Sequence, residues 1–528
     1  MNTLILILLC TVTPLCLIAY ALTPKSKRYI VLFVFSLAFY CIYSKFLTAF
    51  TIASVISIFF AAKFLMRINE KLKIDLENGV DLDREAKKAI KKKRNKQKKL
   101  IITFAVIFNI AILAVLKYSG LFASIFDGIF SWFKVTTHFP VLSIGLPIGI
   151  SYYTLSAIGY LVDVYRGKYE AETNILKLAV FVSFFPQAYE GPIARYDEMK
   201  PQYDNGGGEN FNKNNIVNGL TLFLFGLMKK LVIADRLAIL ATPIFTDYQS
   251  YGGMLLIAGI LAFTFQLYFD FSGFINMAEG ISKMFGIKLA KNFEQPFFSQ
   301  TVSEFWRRWH ISLGAWCKEY IFYSVAMSKG INKLNKKLHG KVNSFFEIFI
   351  PTTIATLAVW LAMGIWHGSS WLYVIYGLYY FVIMTIGTCL EPLHNKIYEK
   401  CRIKRDSWWL VGLRIFRTFI LVNIGMLIFR ASSITAAATM FAHIFSLHCG
   451  AYLFDLIPLH DFIMAAIGTP LILAVDFLNF KNIFIIEKLE KSRPVVRYLC
   501  ILALLLTVLI FGAYGVGYTV TDALYGGF

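Results

Sequence analysis

Apolar runs of about twenty residues, separated by short polar or basic stretches, recur along the whole chain. They fall near 3–21, 29–44, 47–66, 100–117, 140–161, 216–233, 253–275, 346–363, 371–388, 411–429, 461–478 and 497–516. At 1.5 Å per residue, about twenty residues cross the roughly 30 Å hydrocarbon core of a bilayer. Each run therefore predicts a transmembrane helix. Shorter apolar pieces near 120–133, 174–186 and 311–326 fit re-entrant or interfacial helices. The pattern predicts an all-α polytopic membrane protein, with no internal repeat of the transporter kind.

Charge orients these spans. The segment "REAKKAIKKKRNKQKKL" (84–100) closes a basic loop at about 67–99, and its density places it in the cytoplasm by the positive-inside rule. Counting back three spans puts the amino terminus outside. "PKSKR" lies after the first run and no basic residue precedes it, the reverse of a secretory signal, so the first run reads as a retained span. The 84–100 segment reads either as a docking site for a partner or acidic lipid, or as a solvated helical face that holds topology.

Composition agrees. The 528 residues are 57% hydrophobic and only 16% charged, against roughly 25% in soluble domains. The net charge of +21 would suggest nucleic acid in a soluble protein. Here it lies between apolar runs, with no basic globular domain to carry it. It therefore implies topology and anionic lipid, and no nucleic acid. The eight cysteines form no CxxC pair, so neither a metal ligand set nor a disulfide framework is expected. The whole chain, 1–528, reads as one transmembrane domain, with its motifs between about 140 and 430.

The stretch "AVWLAMGIWHGSSWLYVIYG" (358–377) carries the first candidate chemistry. From Ile348 to Gly387 there is no Lys, Arg, Asp or Glu, yet His367 sits at the centre. Lysines 333–341 precede the run and basic residues 396–405 follow it, so both flanks read as cytoplasmic. The run holds two spans, and "GIWHGSSW" at its middle predicts a hairpin apex at His367. A cavity-lining imidazole there can be a general base, a proton relay or a metal ligand. Trp366 and Trp371 flank it, and Gly364 and Gly368 thin the backbone enough to admit a ligand.

"SEFWRRWHISLGAWCKEYIF" (303–322) holds a second histidine, His310, in an aromatic and basic setting. Trp and Arg here either anchor a helix at the headgroups, or Arg307, Arg308 and Lys318 form an anion site for phosphates. Were the segment helical throughout, Arg307 and His310 would share a face. In "FQLYFDFSGFINMAEGISKMFG" (265–286), Asp270 and Glu279 stand in an apolar setting and need partners. They orient a histidine or basic residue, or belong to a structural buried pair. There is no Gly-x-Ser-x-Gly elbow, HExxH pair or Walker loop. What remains is a membrane histidine without an obvious protein nucleophile.

Six motifs in order resemble the membrane-bound O-acyltransferase superfamily, specifically its bacterial alginate-acetylase-like branch. They are "LPIGISYYTLSAIGYLVDVYRG" (146–167), "SFFPQAYEGPIARYDEMKPQ" (183–202), "GLMKKLVIADRLA" (226–238), "YFDFSGFINMAEG" (268–280), "FWRRWHISLGAW" (305–316) and "MGIWHG" (363–368). "GMLIFRAS" (425–432) and the terminal "YGVGYTVTDALYGGF" also fit. Asn276 stands where Asp is usual, Glu190 where Ala or Gln is, and Lys318-Glu319 replaces Arg-Asp.

The resemblance implies a ring of tilted helices around a central funnel in a bacterial cell membrane, with His367 and His310 as the catalytic pair. It implies an acyl thioester donor, acetyl-CoA foremost, met by Arg307, Arg308, Lys318 and Trp366, and no metal. It implies transfer to an exported polysaccharide or peptidoglycan, through an extracytoplasmic SGNH-type acetyltransferase carrying its own serine. D-alanyl transfer to teichoic acid from a carrier-protein thioester is the alternative within the family. A proton-coupled transporter or flippase is the alternative outside it.

Overall fold

The computed structural model describes residues 3–78, 83–135, 141, 145–207, 210–446, 452–515, 518 and 524. The chain expected as one transmembrane domain groups into two compact units. One comprises residues 3–216 and 281–290, the other 217–280 and 291–528.

The first unit begins with α1 (Thr3–Leu22), α2 (Arg28–Ser44), α3 (Thr48–Glu77) and α4 (Arg84–Trp132). Helix α4 is 49 residues long, about 73 Å at helical rise. It starts where Asp83 accepts a hydrogen bond from the Ala86 amide at 2.7 Å, an N-cap that satisfies one orphan donor. The basic stretch is therefore the first turns of a helix, which agrees with the helical-face reading of 84–100. Residues 67–77 end α3 and 84–99 begin α4, while 79–82 lie outside the described residues. Arg94 ties the two helices together through Asp75 at 2.8 Å. The short apolar piece 120–133 is the far end of α4.

The span expected at 140–161 is also corrected. Helix α5 (Ile150–Arg166) starts at Ile150 and has 17 residues, nearly all buried; 142–144 lie outside the described residues. It begins after Gly149, whose φ is +68° and where a Cβ would lie 2.1 Å from the Ala188 carbonyl oxygen. Only glycine meets both demands. Helix α6 (Ile175–Ser183), capped by Asn174, takes up the 174–186 piece, and α7 (Tyr196–Asp204) follows. Around their ends the buried Glu172 accepts from the Tyr196 hydroxyl and from the Asn174 amide. Although burial opposes its charge, those hydrogen bonds and Lys200 hold its carboxyl below the usual range.

The second unit carries α8 (Lys213–Met228), α9 (Asp235–Thr246) and α10 (Gly253–Met284). Glycines let α8 and α10 touch: a Cβ on Gly226 would lie 2.4 Å from the Gly273 oxygen, and one on Gly280 2.6 Å from the Gly219 oxygen. Between α8 and α9, Lys229–Ala234 form a π turn, so that Lys229 and Lys230 are both buried. Next come α11 (Val302–Arg308), α12 (Ile311–Cys317), α13 (Tyr323–Ala326) and α14 (Lys329–Leu338). A π turn at Lys318–Phe322 joins α12 to α13, making the 311–326 piece one helical stretch.

Helices α15 (Ser344–His367) and α16 (Trp371–Lys400) form the expected hairpin, turning at Gly368–Ser370. Then follow α17 (Trp408–Arg430), α18 (Ile434–His443), α19 (Leu453–Leu456), α20 (Leu459–Phe480), α21 (Ile485–Glu490) and α22 (Pro494–Phe511). The terminal stretch from 514 lies largely outside the described residues.

Nine helical stretches among the described residues are long and apolar enough to cross a bilayer. The runs near 29–44 and 47–66 fall in one of them, Lys25–Glu77; α5 is too short, and α1 counts only as a shorter apolar helix over Leu9–Leu22. Large apolar side chains stand exposed along them, such as Leu499, Leu502, Leu509 and Ile510 on α22. Such a surface is stable against lipid, not water. The chain is an all-α polytopic membrane protein.

Candidate active site

The site forms where the chain breaks its own helices. Helix α11 ends at Arg308, and Trp309 pairs with Phe293 in an isolated antiparallel bridge. The Glu294 amide donates to the Arg308 carbonyl at 2.9 Å and the Ile311 amide to the Asn292 carbonyl at 3.0 Å. Held between these bonds, His310 adopts φ +48°, ψ 50°, left-handed backbone that non-glycine residues enter at a cost of about 1–3 kcal/mol. Such strain at a polar residue marks a position fixed by its surroundings.

Those surroundings decide its tautomer. Asn292 Oδ1 accepts from the Ser312 amide at 3.1 Å and the Ser312 hydroxyl at 2.8 Å, and lies 3.2 Å from His310 Nδ1. A backbone N–H can only donate, so the Asn292 atom facing it is the oxygen. His310 Nδ1 therefore carries the proton, which leaves Nε2 as the ring's acceptor. The ring is 1% exposed, and burial pushes its pKa down to about 3, keeping it neutral at physiological pH.

His367 is the last residue of α15 and is also 1% exposed. Its ring meets Phe429 of α17 at 5.3 Å and Tyr376 of α16 at 5.7 Å, both edge-on, with Tyr373 at 6.4 Å. Trp366 joins the two histidines. Its ring lies 5.1 Å from His367 and 5.7 Å from His310. Phe271 also meets His310 edge-on at 4.8 Å. Two buried imidazoles that both contact one indole, in an aromatic wall, can accept and return protons at a water-poor centre.

The glycines beside His367 serve packing. A Cβ on Gly364 would lie 2.4 Å from the Tyr373 carbonyl oxygen, one on Gly368 2.4 Å from the Tyr373 ring, and one on Gly377 2.4 Å from the Trp360 carbonyl oxygen. They bring α15 and α16 together, so the ligand-admitting role expected of Gly364 and Gly368 is corrected. Trp371 is 56% exposed and outside the aromatic wall. Gly377→Leu is expected to splay the hairpin and lower the thermal midpoint of detergent-purified protein by several degrees; an unchanged midpoint would contradict this packing.

The shared face expected for Arg307 and His310 does not form, because the helix ends between them. Arg307 is exposed while His310 is buried. Arg308 pairs with Glu304 at 2.7 Å and lies over the Phe480 ring. Lys318 is exposed and opens the π turn. Asp270 meets Lys230 at 2.7 Å, and Lys230 also meets Asp235 at 2.6 Å, all in the interior. Among the described residues, the partner Asp270 needs is therefore Lys230, a buried basic residue. Asn276, standing where Asp is usual, accepts from Lys229 at 2.9 Å. Asn292, Phe271, Tyr373, Tyr376 and Phe429 were not singled out by the sequence. Phe271, Tyr373, Tyr376 and Phe429 all lay inside stretches that offered a signal, and Asn292 alone lay outside them.

An all-α polytopic chain with two buried histidines about one tryptophan is a membrane protein built around an internal polar centre. A family model for membrane-bound O-acyltransferases matches residues 168–339, which include His310. The chain is 34% identical over 345 residues to a probable alginate O-acetylase of Azotobacter vinelandii, covering 65% of this chain and 62% of that protein. It is 31% identical over 367 residues to the peptidoglycan O-acetyltransferase of Helicobacter pylori, covering 65% and 64%. It is 30% identical over 286 residues to the teichoic acid D-alanyltransferase of Bacillus subtilis, covering 53% and 68%. The chain belongs to the membrane-bound O-acyltransferase family. It spans about three fifths of the length of the alginate O-acetylases it matches.

Proposed function

We propose that this chain is an O-acyltransferase that moves an acetyl group from acetyl-CoA towards an exported polysaccharide or peptidoglycan. The observation that carries the proposal is the pair of buried histidines that both contact the Trp366 ring, in a chain of this family. An acceptor hydroxyl attacks the thioester carbonyl while His367 takes its proton. The tetrahedral adduct collapses, the C–S bond breaks, and the imidazolium returns the proton to the departing thiolate. His310, held as the Nδ1–H tautomer by Asn292, positions the reacting groups and steadies developing charge. The relatives named for O-acetylation favour this reading over D-alanyl transfer.

Purified protein supplied with acetyl-CoA and an acceptor is expected to release free CoA. No release from acetyl-CoA, with turnover of a D-alanyl carrier thioester, would move the chain to the alternative; no release from either would favour a flippase. Asn292→Ala is expected to slow transfer by about tenfold or more, since it frees the wrong tautomer of His310. Unchanged transfer would remove His310 from the mechanism.

The donor side belongs to the same proposal. Exposed Arg307 and Lys318 meet donor phosphates, with Arg308 tempered by Glu304. Arg307→Ala is expected to weaken donor affinity more than transfer at saturating donor, and an unchanged apparent affinity would return it to a headgroup anchor. The amino terminus lies outside and Lys93 and Arg195 lie in the cytoplasm, which single-cysteine labelling of intact and opened cells tests. The acceptor is reached through an extracytoplasmic partner with a serine nucleophile. Co-purification with such a partner is the observation that supports this step.

A further inference from the structure

The outer face of α17 holds two charges where a membrane helix should hold none. Arg414 and Arg417 lie about 9 and about 14 Å along the helix from Trp408. Trp408 is 86% exposed and follows the basic residues Arg402, Lys404 and Arg405, the composition of a headgroup belt. Both arginines thus reach from that belt into the apolar layer.

Their partners are neutral. Arg414 donates to the Gln300 side-chain oxygen at 3.2 Å and to the Arg405 carbonyl at 3.3 Å; Arg417 donates to the Gln300 carbonyl at 3.1 Å. Neither guanidinium has an acid within 4 Å among the described residues. Each has five N–H donors in a fork suited to a tetrahedral oxyanion, so donors remain for one. Arg414 also lies 5.1 Å over the Tyr398 ring, which orients the fork.

A groove adjoins them. Tyr398, Leu410, Leu413, Phe416, Ile420 and Leu421 line about 410 Å³ with the two arginines. That volume falls within the roughly 300–1,000 Å³ of small-molecule sites. The lining is apolar apart from the arginines and the Tyr398 hydroxyl, and Leu413 and Phe416 are more than half exposed. A ligand that satisfies both parts has an acyl chain and an anionic head.

We infer that the groove on α17 is a binding site for one anionic phospholipid, its phosphate on Arg414 and Arg417 and its chain along Leu413, Phe416 and Ile420. The site is separate from the histidine centre and does not rest on the acyltransferase reading. Its function is to seat two otherwise unneutralised cations in the membrane and to fix the Gln300 turn that leads into α11.

Native mass spectrometry of the full chain tests this, in micelles carrying phosphatidylglycerol or phosphatidylcholine of identical chains. Phosphatidylglycerol adducts are expected to exceed phosphatidylcholine adducts by about thirtyfold, the scale that two basic residues confer. Arg414→Gln with Arg417→Gln should abolish that preference. Ile420→Trp, which fills the groove without touching charge, should reduce retention of both lipids. Equal retention of the two lipids by the wild type, or a preference that survives the double substitution, would overturn the site. So would displacement of the lipid by millimolar glycerol phosphate, which would make it an anion site without a chain. CoA release is not the readout, so failure here leaves the proposed reaction untouched.

Discussion

Replacing His367 by alanine is expected to reduce acyl transfer to a few per cent of wild type or less while the protein still folds and inserts. A positioned general base contributes about 10²–10⁴-fold, and among the described residues no side chain of the aromatic wall around His367 is a base that could replace it. The fold should survive because the aromatic wall of Tyr376 and Phe429 is built from α16 and α17 independently of the imidazole. CoA release at saturating acetyl-CoA measures the loss, and gel filtration with a thermal midpoint measures the fold. His310→Ala should cost about 10²-fold, the scale of one lost transition-state hydrogen bond. Because the two rings act through one reaction, the double variant should be little worse than His367→Ala alone. Retention of substantial transfer by a folded His367→Ala protein would remove this residue from the mechanism.

The second large effect concerns folding. Lys230 is 1% exposed and holds Asp235 and Asp270 at 2.6 and 2.7 Å, and the Leu524 amide donates to the other Asp270 oxygen at 2.8 Å. Lys230→Met strands two carboxylates in the interior. Removing one partner of a buried pair costs about 3–5 kcal/mol, a large part of the stability of most domains. The yield of monodisperse protein should collapse. Adding Asp235→Asn and Asp270→Asn to Lys230→Met should restore much of it, because an uncharged set carries no stranded ion. A Lys230→Met protein as stable as wild type would show that the cluster does not hold the fold. If the triple variant folds but transfers nothing, the cluster serves the reaction as well.

The hairpin at His367 could be read along the chain because its determinants are local. Forty residues without formal charge need two spans, and glycines with serines at their midpoint make the turn, whatever else the protein does. Asp270's need of a partner was equally legible, since an acid in an apolar setting is costly alone. Its identity was not, because Lys230 comes from another helix and reaches the interior only through the π turn. Helical propensity runs through the basic stretch, so α4 extends from Arg84 to Trp132 as one helix. Local pattern misplaced the stretch at 307–310, where a helical pattern is broken by the Phe293–Trp309 pairing.

What the sequence determined by itself is the membrane class and the position of the candidate base, because bilayer thickness and the cost of buried charge act on each segment separately. The tertiary structure decided the rest. It brought His310 and His367 to one indole across 57 residues (367 − 310), chose the His310 tautomer through Asn292, and spent Gly364 and Gly368 on helix contact. Each of these depends on which helix faces lie against one another. That choice is made by close packing between segments far apart in the chain, where neither hydropathy nor spacing carries a record of it.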